Sequence, residues 1–199
     1  MDKNVLMDRG ASAHLSSSGK ALTDYKKIKD LIGHFKYLGM RIVLTQGAFD
    51  MIHVGHGRYL REAKKHGDLL VVGVDSDAKI KKRKGPERPV VPQEERIEML
   101  THLRYVDLVF LKELKDPKWS LIKAICPDVL IATKETYKKN QLKELKKYCC
   151  KVHVLEPMAT TSTSAKIRRL QIGTAKKLGQ ALTPKILKTI QDVLDEIKG

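Results

Sequence analysis

The sequence predicts a doubly wound α/β domain, with helices on both faces of a five-stranded parallel sheet and a helical extension after it. Three observations carry that expectation. Short apolar runs recur along the chain, near-continuous in Asp68-Leu-Leu-Val-Val-Gly-Val74, as in strands buried on both faces. Between them lie segments whose apolar residues return every three or four positions, the helical period. The two kinds of segment alternate, which is the order of βαβ units.

The elements follow in order. Residues 1–22 read as a disordered leader, polar and Ser-rich up to Ser16-Ser17-Ser18-Gly19. Thr23 offers an N-cap, and Ile28, Leu31, Ile32, Phe35 and Leu38 keep helical spacing until Gly39. Arg41–Thr45 is the first strand, and a turn leads from it into a helix around Gly57–Lys65. After the second strand, Asp68–Val74, a basic Pro-bearing loop runs from Lys79 to Pro92, and a helix spans Gln93 to Leu103. Val106–Phe110, Val129–Ala132 and Lys151–Leu155 read as the remaining strands, with helices at Ser120–Ile125 and Lys138–Tyr148. Ser162-Thr-Ser164 can cap a helix carrying Ile167 and Leu170, which closes a domain of residues 23–170. In the extension, residues 171–199, Thr183-Pro184 reads as a new helix start after Gly173 and Gly179. Ile186, Leu187, Ile190, Val193, Leu194 and Ile197 then form one apolar stripe, suited to packing on the sheet or on a second copy in a homodimer.

Composition narrows the function classes. The chain has 199 residues and 42% hydrophobic content, enough for one domain with its own core. No apolar run approaches the ~20 residues of a membrane-spanning helix. Three cysteines, two of them adjacent (Cys149 and Cys150), make no disulfide framework and point to a reducing, cytoplasmic setting. Lys and Arg number 39 against 23 Asp and Glu, a formal net charge of +16, which calls for anionic partners: nucleic acid, an acidic membrane face or phosphorylated small molecules.

The segment Thr45-Gln-Gly-Ala-Phe-Asp-Met-Ile-His-Val-Gly-His-Gly57 is the richest in chemistry. It follows a strand, where open α/β sheets bind ligands at the carboxyl ends. Gly47 permits close backbone approach, and His53 and His56, three apart at a helix start, share one face. Unpaired N–H groups and the helix dipole add a positive field, so the place suits phosphate oxygens. Zinc, with His66 as a third ligand, fits less well, because the three do not share a helical face and no Cys is near in sequence.

Gly47-Ala-Phe-Asp50 followed by His53-Val-Gly-His56 resembles the signature of the cytidylyltransferase-like nucleotidyltransferases. Three further blocks fall in that family's order: Lys84-Gly-Pro-Glu-Arg-Pro-Val-Val-Pro-Gln-Glu-Glu-Arg96, Tyr105-Val-Asp107 and Thr161-Ser-Thr-Ser-Ala-Lys-Ile167. The resemblance covers Arg41 to Leu170 and is closest to heptose-phosphate adenylyltransferase domains and glycerol-3-phosphate cytidylyltransferases. It implies a Rossmann-like fold and transfer of a nucleoside monophosphate, AMP from ATP in first place, to a phosphorylated small molecule such as a sugar phosphate, releasing pyrophosphate. It also implies Mg²⁺ bridging the phosphates, with Asp50 as an aid in placing metal or acceptor.

By the same resemblance, His53, His56 and Arg96 are the catalytic contacts to the phosphates. Thr45, Gln46, Gly47, Ala48, Phe49 and Gly55 line the nucleotide, and Ser162 and Thr163 meet its β- and γ-phosphates. Asp50, Lys84 and Arg88 contact the acceptor or a phosphate. One segment departs from the family pattern: Ala132-Thr-Lys-Glu-Thr-Tyr137 lacks the glycine common after the fourth strand. Two other readings stand beside this one. The first is cytidylyl transfer from CTP to a polyol or alcohol phosphate. The second is a basic nucleic-acid-binding protein, disfavoured by 5% aromatic content. A tRNA-synthetase-like domain ranks last, because the chain has no Lys-Met-Ser-Lys-Ser segment.

Overall fold

A computed structural model describes residues 19–133, 137, 139–149, 151–156, 158 and 163–198. In chain order the elements are β1 (Ala21–Leu22), α1 (Tyr25–Tyr37), β2 (Ile42–Gly47), α2 (Val54–Lys64), β3 (Leu69–Asp75), α3 (Asp77–Lys84), α4 (Gln93–Thr101), β4 (Leu108–Lys112), α5 (Ser120–Ile125), β5 (Val129–Thr133), α6 (Lys139–Leu145), β6 (Lys151–Leu155) and α7 (Thr163–Lys198).

The strands form a six-stranded sheet in the order β1-β4-β3-β2-β5-β6, and every pairing is parallel. Alternate residues of each strand feed opposite faces. Val43, Val72, Val109 and Ile131 join Leu60 and Ala63 of α2 and Ile97 and Leu100 of α4 in one core. Ile42, Leu44, Val71, Phe110 and Leu130 join α1, α5 and α6 in the other, through Ile28, Ile32, Leu121, Ile125 and Leu145. This is the doubly wound class expected from the alternation of runs.

The chain winds outward from β2 in both directions, through β3 and β4 on one side and through β5 and β6 on the other. Strand order therefore reverses between β2 and β5, and that switch point opens a crevice at their carboxyl ends. Val43 lies opposite both Leu70 and Val129, so β2 is the register strand for both halves.

Four local features differ from the sequence expectation. The sixth strand comes from the segment taken as leader: Ala21 and Leu22 pair with Val109 and Phe110. Lys20 helps hold it, its carbonyl accepting from Val109 N at 2.8 Å and its Nζ donating to Thr101 O at 3.1 Å. Two residues are too few to display a strand period. The cap of α1 is Asp24 rather than Thr23, with Oδ1 accepting from Lys26 N at 2.7 Å and Lys27 N at 3.1 Å. The basic loop begins as a helix, α3, because Ser76 caps it, Asp77 stands in its first turn and Ile80 is buried beneath it. Gly85, at φ +98°, ends that helix in a conformation that disfavours side-chain-bearing residues.

The fourth difference is α7, a compact unit of its own from residue 160 onward. It runs unbroken through Gly173, Gly179 and Pro184, so the expected border at residue 170 and the expected start at Thr183 fall inside one helix. Glycine weakens a helix interior by about 1 kcal/mol without ending it, and the flanking Ala, Leu, Lys and Gln are good helix formers. Among the described residues, no helix is long and apolar enough to cross a membrane.

Candidate functional site

The turn after β2 is built around a glycine. A Cβ on Gly47 would come within 3.1 Å of the Phe49 ring, so the glycine admits the chain's own aromatic side chain as it folds back. Phe49 and Met51 both adopt φ +50°, the left-handed region. Such residues cost of order 1–3 kcal/mol each and cluster where a backbone is held for function. Phe49 is buried, and its ring lies 5.6 Å from that of His56.

His53 is the N-cap of α2. Its Nδ1 accepts from Gly55 N at 3.1 Å, and His56 Nδ1 accepts from His53 N at 3.4 Å, a capping box made of two imidazoles. The ring centroids are 4.2 Å apart. Because Nδ1 is the acceptor in both, each neutral ring carries its proton on Nε2. The cap thus sets the tautomer and gives the helix start two N–H edges beside its dipole. The structure brings His53, Gly55 and His56 together as the sequence spacing implies.

The strand residues next to this turn are tied inward. Thr45 is fully buried, its Oγ1 2.7 Å from the Tyr59 hydroxyl, and Gln46 Nε2 donates to Tyr137 Oη at 3.1 Å. Burial pushes the Tyr59 phenol up to about 12, with the Thr45 hydrogen bond opposing. Burial raises Tyr137 as well. Both polar side chains are thus engaged within the protein, and Thr45 pairs with β3 on one side and β5 on the other.

Arg96 stands elsewhere than the sequence reading put it. Its side chain is 1% exposed, and all three of its nitrogens bond within the protein. Nε donates to Val91 O at 3.0 Å, Nη1 to Ala48 O, and Nη2 to Asp75 O at 2.9 Å and Asp77 Oδ1 at 2.7 Å. The guanidinium is thus aimed at protein carbonyls, where it pins the His-bearing turn to the end of β3 and to the loop before α4. A one-turn offset into a helix does not reveal which way a side chain leans, and α4 buries Arg96 against the sheet ends.

Asp50 is buried, and its Oδ1 accepts from Val90 N at 3.1 Å and Val91 N at 3.0 Å. Its Oδ2 lies 2.7 Å from Arg88 Nη2. Arg88 is 12% exposed, and its Nε is buried with no hydrogen-bond partner among the described residues. A buried donor left without an acceptor costs about 1–3 kcal/mol. Lys84, at the end of α3, is held below the usual lysine range by burial first and then by Arg83 and Arg88.

A second charged cluster was missed in the sequence. Asp75, at the end of β3, receives Lys112 Nζ at 3.0 Å and Arg83 Nη2 at 3.0 Å, with Lys79 Nζ at 3.9 Å. Burial pushes Lys112 down, and Asp75 opposes that shift. The available signal was a charged residue closing each of two apolar runs at the carboxyl edge of the sheet. Ser162, Lys134 and Glu135 lie outside the described residues, and Thr163 belongs to the separate unit of α7.

The zinc alternative finds no support in the geometry. His66 meets His153 of β6 in a tilted ring contact, centroids 4.3 Å apart, and no three His, Cys, Asp or Glu side chains are grouped to hold a metal among the described residues.

Comparison with known proteins decides the family: a model described as cytidylyltransferase-like matches residues 44–175. The chain belongs to the cytidylyltransferase-like family. A 121-residue stretch is 40% identical to the bifunctional protein HldE of Aliarcobacter butzleri, covering 61% of this chain and 25% of that protein. The HldE of Wolinella succinogenes is 35% identical over 165 residues, 80% of this chain and 33% of the relative. The chain thus spans about a quarter to a third of the length of these relatives. Among solved structures, a lipopolysaccharide core biosynthesis protein from Thermoplasma volcanium matches with TM-score 0.51 at 27% identity, over 62% of this chain and all of that one. A pantoate-beta-alanine ligase from Francisella tularensis shares the fold at TM-score 0.55 and 16% identity, over 73% and 69% of the two chains. In this member of the cytidylyltransferase-like family, the paired imidazoles, the Asp50–Arg88 pair and the Arg96 clamp all meet the turn that leaves β2.

Proposed function

We propose that the chain transfers AMP from ATP to the phosphate of a sugar phosphate and releases pyrophosphate. The observation that carries this reading is the His53–His56 pair, capped through both Nδ1 atoms at the start of α2 beside the β2/β5 crevice. Similarity to HldE proteins and to a lipopolysaccharide core biosynthesis protein supports an acceptor of the sugar phosphate class.

In such a step an acceptor phosphate oxygen forms a bond to the α-phosphorus as the α–β P–O bond breaks. Pyrophosphate leaves with that electron pair. The nucleophile is already an anion, so the site needs no strong base; it needs placement and donors for charge moving toward the leaving group. The Nε2–H groups of His53 and His56 are such donors, oriented by the cap before substrate arrives. Arg96 and Asp50 hold the turn that carries them.

Magnesium is expected to enter with the nucleotide. Asp50 is committed to Arg88 and two backbone amides, and no acidic cluster stands near it among the described residues. The side chains do not fit a protein-built Mg²⁺ cage, so no step is assigned to a protein-held metal. The test is pyrophosphate release with ATP and with CTP against a panel of sugar, polyol and alcohol phosphates. Release with ATP and a sugar phosphate supports the reading, release with CTP alone moves it to cytidylyl transfer, and no release with any pair overturns it.

A further inference from the structure

We propose that Arg88, held by Asp50, receives the phosphate of the acceptor rather than the triphosphate. The proposal rests on the nucleotidyl-transfer reading and names what the basic loop is for.

The two arginines at this site differ in how many of their donors the protein uses. Arg96 has every nitrogen bonded to the fold. Arg88 has Nη2 against Asp50 at 2.7 Å, while its Nε is buried and has no partner among the described residues. A guanidinium presents a planar fork that matches two oxygens of one phosphate, and an ammonium does not. Arg88 thus keeps donor capacity at a place where no acceptor stands among the described residues. Its side chain remains 12% exposed, although Nε itself is buried.

Its location argues for the acceptor. The β2/β5 crevice lies on one side of the end of β2, and the loop carrying Arg88 follows β3 and α3 on the other. Attack in line requires the incoming and leaving oxygens on opposite sides of the α-phosphorus. With the nucleotide in the crevice and the leaving phosphates at the α2 start, the incoming phosphate comes from the β3 side. Asp50 sits three residues before His53 and grips the loop through Val90 N, Val91 N and Arg88, so the acceptor's cation is tied to the turn that carries the imidazoles. Lys84 stands near enough to Arg88 for their charges to interact, and its depression by burial, Arg83 and Arg88 is what an arriving anion would relieve.

The test uses the full chain saturated with a non-hydrolysable nucleoside triphosphate, so that inorganic phosphate, the probe, is left with the acceptor site. Calorimetry should show phosphate binding to the wild type. Arg88→Lys keeps the charge and loses the fork, and it should bind phosphate about ten- to a hundredfold more weakly, as expected for loss of hydrogen bonds to a charged group. The KM for a sugar phosphate should rise by a similar factor while the KM for the nucleotide stays unchanged. In Arg88→Ala, added methylguanidinium should restore part of the activity, and unfolding midpoints show whether each variant is folded. Three results would overturn the proposal: no phosphate binding to the nucleotide-saturated wild type, equal phosphate binding in folded Arg88→Lys, or a loss confined to nucleotide affinity. A wild type that binds no nucleoside triphosphate at all defeats the nucleotidyl-transfer reading instead, which keeps the two failures apart.

Discussion

Replacing Arg96 by Met removes one guanidinium and leaves its volume roughly filled. Three backbone carbonyls, at Ala48, Asp75 and Val91, lose their donor, and Asp77 loses its partner. Asp77 is 30% exposed and can rehydrate, so most of the loss comes from the carbonyls. At about 1–3 kcal/mol for each buried group left unsatisfied, and with some relaxation, the variant should lose about 3–5 kcal/mol, the range for breaking a buried charged network. Against a typical total of about 5–15 kcal/mol, that is a large fraction. At about 2–4 °C per kcal/mol for a chain of this size, the unfolding midpoint should drop by roughly 6–20 °C. Urea unfolding measures the energy, and amide exchange at Val90 and Val91 reports whether the loop has come loose. A loss below about 1 kcal/mol, within the ordinary surface range, with exchange unchanged, would refute the clamp.

Two further predictions concern stability. Gly67→Ala would bring a Cβ within 2.7 Å of the Arg41 carbonyl oxygen and of Val43 Cγ2, and because one of these is backbone, about 1–3 kcal/mol should be lost in urea unfolding; an unchanged midpoint would mean the Gly67 turn yields freely. Burial first, and then His153, holds His66 below the usual imidazole range, with Lys151 and Arg41 acting in the same sense and Glu62 opposing. The folded state therefore favours the neutral ring. This contribution is complete above the unfolded imidazole pKa of about 6.5 and is lost as pH falls through the lower folded one, so stability should decline as the solution is acidified below that range. His66→Asn should flatten that slope, and equal slopes in the two proteins would contradict the assignment.

The sheet was legible because its strands are apolar runs with the right intervals between them, and burial on both faces keeps β3 apolar up to the Asp75 that closes it. The site turn was legible for a related reason: a glycine, two histidines at helical offset and a helix start sit within one short segment, so local spacing holds the geometry. What escaped depends on contacts distant in sequence. The pairing of Ala21–Leu22 with β4 joins residues more than eighty positions apart and has no period to display. Arg96 and Asp50 carry the charge types of phosphate and metal contacts, yet the fold turns them onto Ala48 O, Val90 N and Val91 N, partners that no spacing rule names. The capping box explains why His53 and His56 stand where they do, but the sequence reading saw only their shared face. The same limit applies to charge. The excess of +16 pointed to any anion, and the geometry singles out a few cations at the carboxyl edge of the sheet, Arg88 among them.

The central claim is that the paired imidazoles donate from Nε2 to the phosphates as pyrophosphate leaves. Its most direct test is the single-turnover rate of pyrophosphate release from ATP with a sugar phosphate, in the wild type and in His53→Asn. Asparagine is itself a good N-cap, so the helix start should survive while the Nε2 donor is lost. The unfolding midpoint should stay close to that of the wild type while the rate falls by about 10²-fold or more. A rate equal to that of the wild type in a folded His53→Asn protein would contradict it.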